Sequence, residues 1–366
     1  MNILLNGLPI TVGGGRVKFD SFVRHLNQSQ VHKTKVVIHP RNAPIYNAKN
    51  FPNLSFTYCS YSPASFKDYF KARRFLNELE SEFAPDYVIT LFGPSFWRPK
   101  AKHLMGYAIP HYVYPESPFF KSLSLRQRLT HEIRKRIKTW HFKNNADLWY
   151  TESEEVSKRL RLLLNVDPNK VYTVWPQNHP IFQEPEKRNR HDKLIILTVS
   201  AYYPHKNFGI FPNVIRSLCE IIGEENFTFF TTLEHRAYNR ISSGAYPQWK
   251  NLGPVKVEQL PFLYSSASIM FLPTLLECFS ASYTEAMAMG VPVLTSDLAF
   301  ARDNCKKGAC YVDPLDSKAI AENIVRLHYE KDFRDTLIVE GKRRLEELTA
   351  CGRPEDRYIE ILEETV

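Results

Sequence analysis

The sequence predicts an α/β protein of two domains, each built on a parallel sheet. Three observations lead there. The chain has 366 residues, and single cores stop growing near ~250–300 residues. Short apolar runs alternate with segments of helical spacing through both halves, which is the rhythm of βαβ units. The rhythm also restarts after a polar, proline-bearing stretch, Pro176–Pro185 followed by the charged run Glu186–Lys193, and such stretches join domains.

The elements follow in order. Asn2–Asn6 reads as a first strand and Gly7–Gly15 as its loop. Arg16–Leu26 carries helical spacing at Val17, Phe22, Val23 and Leu26. Lys35–Ile38, Asp86–Leu91, Leu104–Ile109, Leu148–Thr151 and Val171–Val174 are further strands, Ser122–Phe142 is a helix, and Ser153 stands at a cap position before a charged helix. The second half begins with the buried-type strand Leu194–Ser200, continues with Thr228–Thr232, Ser268–Leu272 and Val291–Thr295, and closes on the helix Pro354–Glu364. The expected division is 1–178 for an N-terminal domain and 179–350 for a C-terminal domain, with a helix in 351–366 packing back on the first. Parallel sheets with right-handed crossovers bind ligands outside the carboxyl ends of their strands.

Composition narrows the chemistry. A net charge of +9 favours an anionic partner such as a nucleotide, a phospholipid surface or a phosphorylated acceptor. No zinc-finger spacing or RNP-type motif accompanies it, so no nucleic-acid partner is expected. The six cysteines form no CxxC pair, which fits reduced thiols in a cytoplasm and neither a metal site nor a disulfide framework. The N-terminus lacks the basic region and long apolar run of a signal peptide, and no run of ~18 apolar residues marks a membrane span. Lys121–Lys143 holds eight Lys/Arg and one acid, Glu132, with Leu125, Leu129, Ile133, Ile137 and Trp140 along one stripe. Two expectations stand for it: the stripe packs on the N-terminal core with its basic face solvated, or the basic face meets anionic lipid at the inner face of a membrane.

Three segments carry chemistry. Gly13-Gly14-Gly15 follows the first strand and opens a helix, where a backbone can approach an anion closely; glycine loops there are also common structural turns. Ser200–Asn207 places His205 and Lys206 in a loop between a strand and a helix. A lysine so placed can meet a phosphate as a point charge, although most loop lysines are merely solvated. PTLLECFSASYTEAMAMGVPVLTSD (residues 273–297) runs from a strand end through a loop with Glu277 into a helix with Glu285, stopped by Gly290. Glutamates on helices are ordinarily exposed, but Ala286, Met287, Ala288 and Met289 make a carboxylate at 285 worth explaining.

At this segment the chain resembles the retaining glycosyltransferase family four of the GT-B fold, which shows Glu-x7-Glu before E-A-M-A-x-G-x-P-V. Here the pattern stands as Glu277…Glu285-Ala286-Met287-Ala288-Met289-Gly290-Val291-Pro292-Val293. The match extends to Asn251–Val255, Leu263–Ala267 and Val312-Asp313-Pro314, with Lys206 at the family's phosphate-binding lysine and Gly14 and Gly15 at its first-loop glycines. It is strongest over residues 194–330. The resemblance implies two Rossmann-like domains with parallel sheets facing across a cleft, and transfer of a hexose from a nucleotide-diphosphate sugar to a glycan or lipid-linked acceptor without cofactor or bound metal. It implies that Lys206 neutralises the leaving diphosphate, Glu277 orients the sugar, Glu285 holds the ribose and Gly253–Val255 lie against the base. His205, Cys278, Phe279 and Ser280 would line the donor, and His111 is the candidate for the N-domain histidine near the reacting carbon. Two departures stand out: the family's arginine five residues before the lysine is Ala201, and its glycines after the first glutamate are Cys278 and Ser280. A GT-B epimerase, an inverting transferase and a non-catalytic sugar-binding subunit remain open beside this reading.

Overall fold

A computed structural model describes residues 1–10, 14–29, 31–183, 193–242, 244 and 246–364. Gly13 and half of the expected linker, residues 184–192, lie outside the described residues. The chain forms two compact units: Met1–Val113 with Leu123–Trp175 and Gly352–Val366, and Tyr114–Ser122 with Pro176–Cys351. The boundary expected after residue 178 thus falls at Trp175/Pro176, and the excursion Tyr114–Ser122 was not foreseen.

The first unit holds seven parallel strands: β1 (Asn2–Asn6), β2 (Lys33–Ile38), β3 (Leu54–Tyr58), β4 (Tyr87–Thr90), β5 (Lys102–Gly106), β6 (Leu148–Thr151) and β7 (Val171–Thr173), in the order β3-β2-β1-β4-β5-β6-β7. Ile3, Leu4 and Leu5 are wholly buried, because an inner parallel strand is covered on both faces. Each such side chain contributes roughly 1.5–3 kcal/mol. β3 escaped the sequence pattern because LSFTY alternates with polar residues and is only partly covered. β5 begins at Lys102, two residues before the expected start.

The first helix, Gly14–Ser29, buries Phe19, Phe22, Val23 and Leu26 and turns Val17 outward, so Phe19 occupies the face assigned to Val17. Ser153 Oγ accepts the Val156 amide at 3.3 Å, the expected cap. The last helix, Pro354–Glu363, puts Tyr358, Ile361 and Leu362 into the first unit's core, and Ser21 Oγ donates to Glu355 at 2.5 Å.

The helix expected over Ser122–Phe142 runs from Leu125 to Asn144, closed at its start by a capping box between Ser124 and Gln127. Its apolar stripe does not pack on the core. Leu125, Leu129, Ile133, Ile137 and Trp140 are all exposed, and Phe142 alone in the helix is fully buried.

The second unit holds six parallel strands: β8 (Leu194–Thr198), β9 (Phe227–Thr231), β10 (Trp249–Asn251), β11 (Ile269–Leu272), β12 (Val293–Ser296) and β13 (Ala309–Val312), in the order β10-β9-β8-β11-β12-β13. β12 starts after Pro292, which has no amide to donate, while the Pro292 carbonyl still accepts from Met270 at 3.0 Å. In both sheets strand order reverses beside the first strand of the unit, and that switch is where ligands of open α/β sheets bind. No described helix is long and apolar enough to cross a membrane.

Candidate functional site

At the switch point of the second sheet, the chains leaving β8 and β11 are sewn together. After β8 a short turn, Pro204–Lys206, closes on Asn207, whose φ of +59° is a conformation asparagine tolerates. Asn207 Nδ2 donates to the Pro314 carbonyl at 2.8 Å. After β11 the loop Pro273–Phe279 meets that turn: the Leu275 amide donates to the His205 carbonyl at 2.7 Å, and Thr274 Oγ1 to the same oxygen at 3.2 Å. Ser296 Oγ donates to Thr274 O at 2.7 Å and Ser117 Oγ to Leu275 O at 2.7 Å. The excursion Tyr114–Ser122 therefore braces the loop, with Phe119 edge-on to His205.

This bracing brings Lys206 to Glu277. The ammonium pairs with Glu277 Oε1, and both side chains are nearly buried. Burial pushes the Glu277 carboxyl above its ordinary range, and the Lys206 charge pulls part of that shift back. A buried pair of this kind is held by its geometry, since either partner alone would be an uncompensated charge.

The helix Ala281–Ala288 begins beside these loops. Ser280 holds extended geometry at its start without capping it, and Ser282 Oγ instead donates to Val199 O at 2.9 Å, tying the helix to the loop after β8. Glu285 is half-buried, and Tyr264 donates its hydroxyl to Oε2 at 2.8 Å. Burial raises the Glu285 carboxyl, opposed by that hydrogen bond. Cys278 is buried and its carbonyl faces Asn304 Nδ2 at 3.4 Å, whereas Phe279 is half-buried.

Gly253, at φ +76°, is a position that needs glycine twice over: a Cβ there would lie 2.9 Å from His235 Nε2. Val255 is half-buried nearby in sequence. Ala201 is exposed, and the Arg240 guanidinium lies 4.9 Å from the ring centre of the next residue, Tyr202.

Three of the expected residues stand in the first unit. Gly14 opens the first helix, and a Cβ on Gly15 would meet the Phe92 ring at 3.3 Å. His111 lies in the helical turn Pro110–Val113. Burial lowers its imidazole to about 4, helped by the charges of His131 and Lys138, so it is neutral at physiological pH. Lys206, His205, Gly253, Val255, Cys278, Phe279, Ser280, Glu277 and Glu285 all stand in the second unit.

Sequence reasoning missed Ser117 and Tyr264. Tyr264 lay within a stretch quoted for the family resemblance, but nothing local marks it as a partner of Glu285. Ser117 gave no signal at all. An open basic cleft of about 590 Å³, lined by Arg98, Lys100, Lys102 and Lys170 among others, lies elsewhere, at the amino ends of β5 and β6. Donor sites of such sheets lie at the carboxyl ends. Among the described residues no group of three or more His, Cys, Asp or Glu stands close enough to hold a metal.

Two parallel-sheet α/β units, seven and six strands wide, make this a protein of the GT-B fold class. Residues 193–330 match the sequence model of the family described as Glycosyl transferases group 1. The O-antigen chain mannosyltransferase RfbU of Salmonella typhimurium is 25% identical over 215 residues, 57% of this chain and 57% of that protein. The match thus spans little more than half the length of that curated relative. Among solved structures, the sucrose-phosphate synthase of Thermosynechococcus elongatus superposes with a TM-score of 0.77 at 16% identity, covering 100% of this chain and 99% of that one. HepE of Anabaena, in complex with UDP and glucose, gives 0.73 at 12% identity, covering 99% of both. At these identities the structural likeness speaks for the fold alone.

Proposed function

We propose that this chain is a glycosyltransferase of the retaining kind, moving a hexose from a nucleoside-diphosphate sugar to a glycan or lipid-linked acceptor in surface-polysaccharide assembly. The observation that carries the reading is the buried Lys206–Glu277 pair at the carboxyl ends of β8 and β11, beside a helix start able to receive an anion. The group 1 match over this half and the mannosyltransferase relative support it.

In this reading the donor diphosphate takes Lys206 as its counter-charge, and Glu277, released from that ion pair, turns to the sugar hydroxyls. The bond between the anomeric carbon and the diphosphate oxygen breaks as the acceptor oxygen bonds the same face of that carbon. The acceptor proton passes to the departing diphosphate, so charge and protons balance without an added base. Lys206 faces charge that grows in the transition state, the position where preorganised electrostatics act most strongly. Glu285 accepts from the ribose, Gly253–Val255 lie against the base, and neutral His111 accepts or donates one hydrogen bond near the reacting carbon. Gly14 and Gly15 admit the donor closely. Arg240, stacked over the ring of Tyr202 next in sequence to Ala201, is our candidate for the second phosphate cation. No metal is required in this scheme. The work would be cytoplasmic, with the basic segment 121–143 meeting anionic lipid at the inner face of the membrane.

The test is calorimetry with a panel of UDP- and GDP-sugars, followed by turnover with and without EDTA and assignment of the product anomer by NMR. Binding of one donor, EDTA-resistant turnover and retained configuration are expected. Loss of activity with EDTA, restored by Mg²⁺, overturns the metal-free scheme, and an inverted anomer overturns the retaining one. A non-catalytic sugar-binding subunit is favoured by Ala201 alone, and slow donor hydrolysis without acceptor removes it.

A further inference from the structure

The helix Leu125–Asn144 is built inside out. At about 100° per residue, Leu125, Leu129, Ile133, Ile137 and Trp140 fall within one third of its circumference, and they are 84%, 64%, 51%, 51% and 56% exposed. The opposite side, which packs on the first unit, carries His131, Lys138 and Phe142, and of these Phe142 alone is fully buried. Burial lowers both His131 and Lys138 from their ordinary values. An ordinary surface helix has the reverse pattern. Exposed apolar residues scattered singly need no explanation, but a contiguous stripe does.

The charges say what covers it. Arg126, Arg136 and Lys143 share the third of the helix that bears the stripe, and Arg128 and Arg134 border it, against the single acid Glu132, while Lys138 faces the first unit. A second copy laid on this stripe would set cations against cations. A bilayer of anionic lipid offers the complementary order, phosphates at the rim and hydrocarbon beneath. Twenty residues span about 30 Å along the axis, yet the helix is too polar to cross a membrane, so it would lie flat. An apolar side chain also stands beside the helix: Phe70 is 78% exposed and packs on Tyr69, whose ring in turn meets His141.

We infer that the helix Leu125–Asn144 inserts in the plane of an anionic bilayer, its apolar stripe sunk among the upper acyl chains and the long cationic side chains among and beside it reaching up to the lipid phosphates. This rests on the reading that the protein works at an anionic membrane, and adds that binding is by insertion and not by charge alone. Trp140 is a built-in reporter, since Trp97, Trp149, Trp175 and Trp249 are buried.

The experiment uses the full chain with vesicles containing phosphatidylglycerol and, separately, vesicles of phosphatidylcholine alone. On the anionic vesicles Trp140 emission should shift to the blue and become shielded from a soluble quencher. Binding should persist in part at about 1 M salt, where screening shortens to ~3 Å. The double variant Ile133→Asn/Ile137→Asn should keep the wild-type melting temperature, because these side chains have no core to leave. It should partition at least about tenfold more weakly, or about 1.4 kcal/mol. Full release by salt, with no Trp140 shift and an unaffected variant, overturns insertion while leaving the membrane reading standing. No binding to any vesicle overturns both. A concentration-dependent dimer that the same variant abolishes, without vesicle binding, would assign the stripe to a second copy instead.

Discussion

The two units are built on the same kind of parallel sheet, but most of the imidazoles that burial shifts lie in the first and the carboxyls that burial shifts lie in the second. The first also buries the carboxylates Glu80, Glu152 and Glu355. His103 and His111 are held at about 4 by burial, and burial also lowers His32, His131, His141 and Lys138. His103 shows how this is made tolerable: its Nδ1 bonds the Asn145 carbonyl and its Nε2 the Thr90 hydroxyl at 2.8 Å, which suits the neutral ring. The second unit buries Arg344 and also holds the two carboxyls that burial raises. Glu277 and Glu285 are raised by burial, each with one dedicated partner, Lys206 or Tyr264. His328 is the exception there, a lowered imidazole. The contrast teaches that the burial-shifted histidines of the first unit and the burial-shifted carboxyls of the second should answer acid in opposite directions.

The strongest way to sharpen this contrast is to remove a partner. Lys206→Met leaves the Glu277 carboxylate buried and unpaired, at a cost of about 3–5 kcal/mol. On the proposed mechanism kcat also falls roughly a hundredfold, corresponding to about 3 kcal/mol of lost electrostatic stabilisation. Adding Glu277→Gln should restore most of the melting temperature and none of the turnover. If Lys206→Met changes neither quantity, the pair is not the centre of the site.

Acid gives the next largest effect. Histidines whose folded pKa lies below the unfolded value near 6.5 stabilise fully above that value and lose the contribution as pH falls towards about 4. For the wholly buried His103 the loss at pH 5 is on the order of 2 kcal/mol, at about 1.4 kcal/mol per unit. Carboxyls raised above their unfolded value near ~4.3 behave oppositely: their charged forms disfavour folding as pH rises through that window, and acid relieves the penalty. Hydrogen exchange at pH 7 and pH 5, corrected for intrinsic rates, should therefore show protection falling in β5 and β6 while the segment 273–289 holds. Equal losses in both units would break the comparison.

The smallest effect concerns Glu285. Glu285→Gln keeps an oxygen for the Tyr264 hydroxyl and removes the charge that burial disfavours. At neutral pH the variant should melt higher, with each 1 kcal/mol worth about 2–4 °C in a domain of this size, and the gain should vanish below about pH 4. On the proposed mechanism the same change weakens donor binding and raises KM with little change in kcat. A variant that melts lower at pH 7 would show that the charged carboxylate is stabilised there.

Much of this was legible along the chain. Buried strands such as Leu194–Thr198 and Ile269–Leu272 read clearly because their apolar runs are local and continuous. Lys206 and Glu277 could be singled out because each stands in a loop after a strand end, where ligands of such sheets bind, and Glu285 because its apolar neighbours and the family resemblance mark it. The weaker strands β3 and β10 did not read, since half-covered strands carry as many polar residues as loops do, and the four-residue β13 was too short to show a pattern.

What the sequence determined by itself was the inner strands, the two-unit division and the residues at the strand ends, because these depend on neighbours a few positions away. Tertiary structure alone decided the rest. Lys206 meets Glu277 across 71 positions, Ser117 braces Leu275 across 158, and Tyr264 reaches Glu285 across 21. It also decided that the stripe on Leu125–Asn144 faces outward. Periodicity shows that a helix has an apolar side, but which side meets the protein depends on what the rest of the fold offers. Here it offers a place to Phe142, His131 and Lys138, and leaves the stripe uncovered.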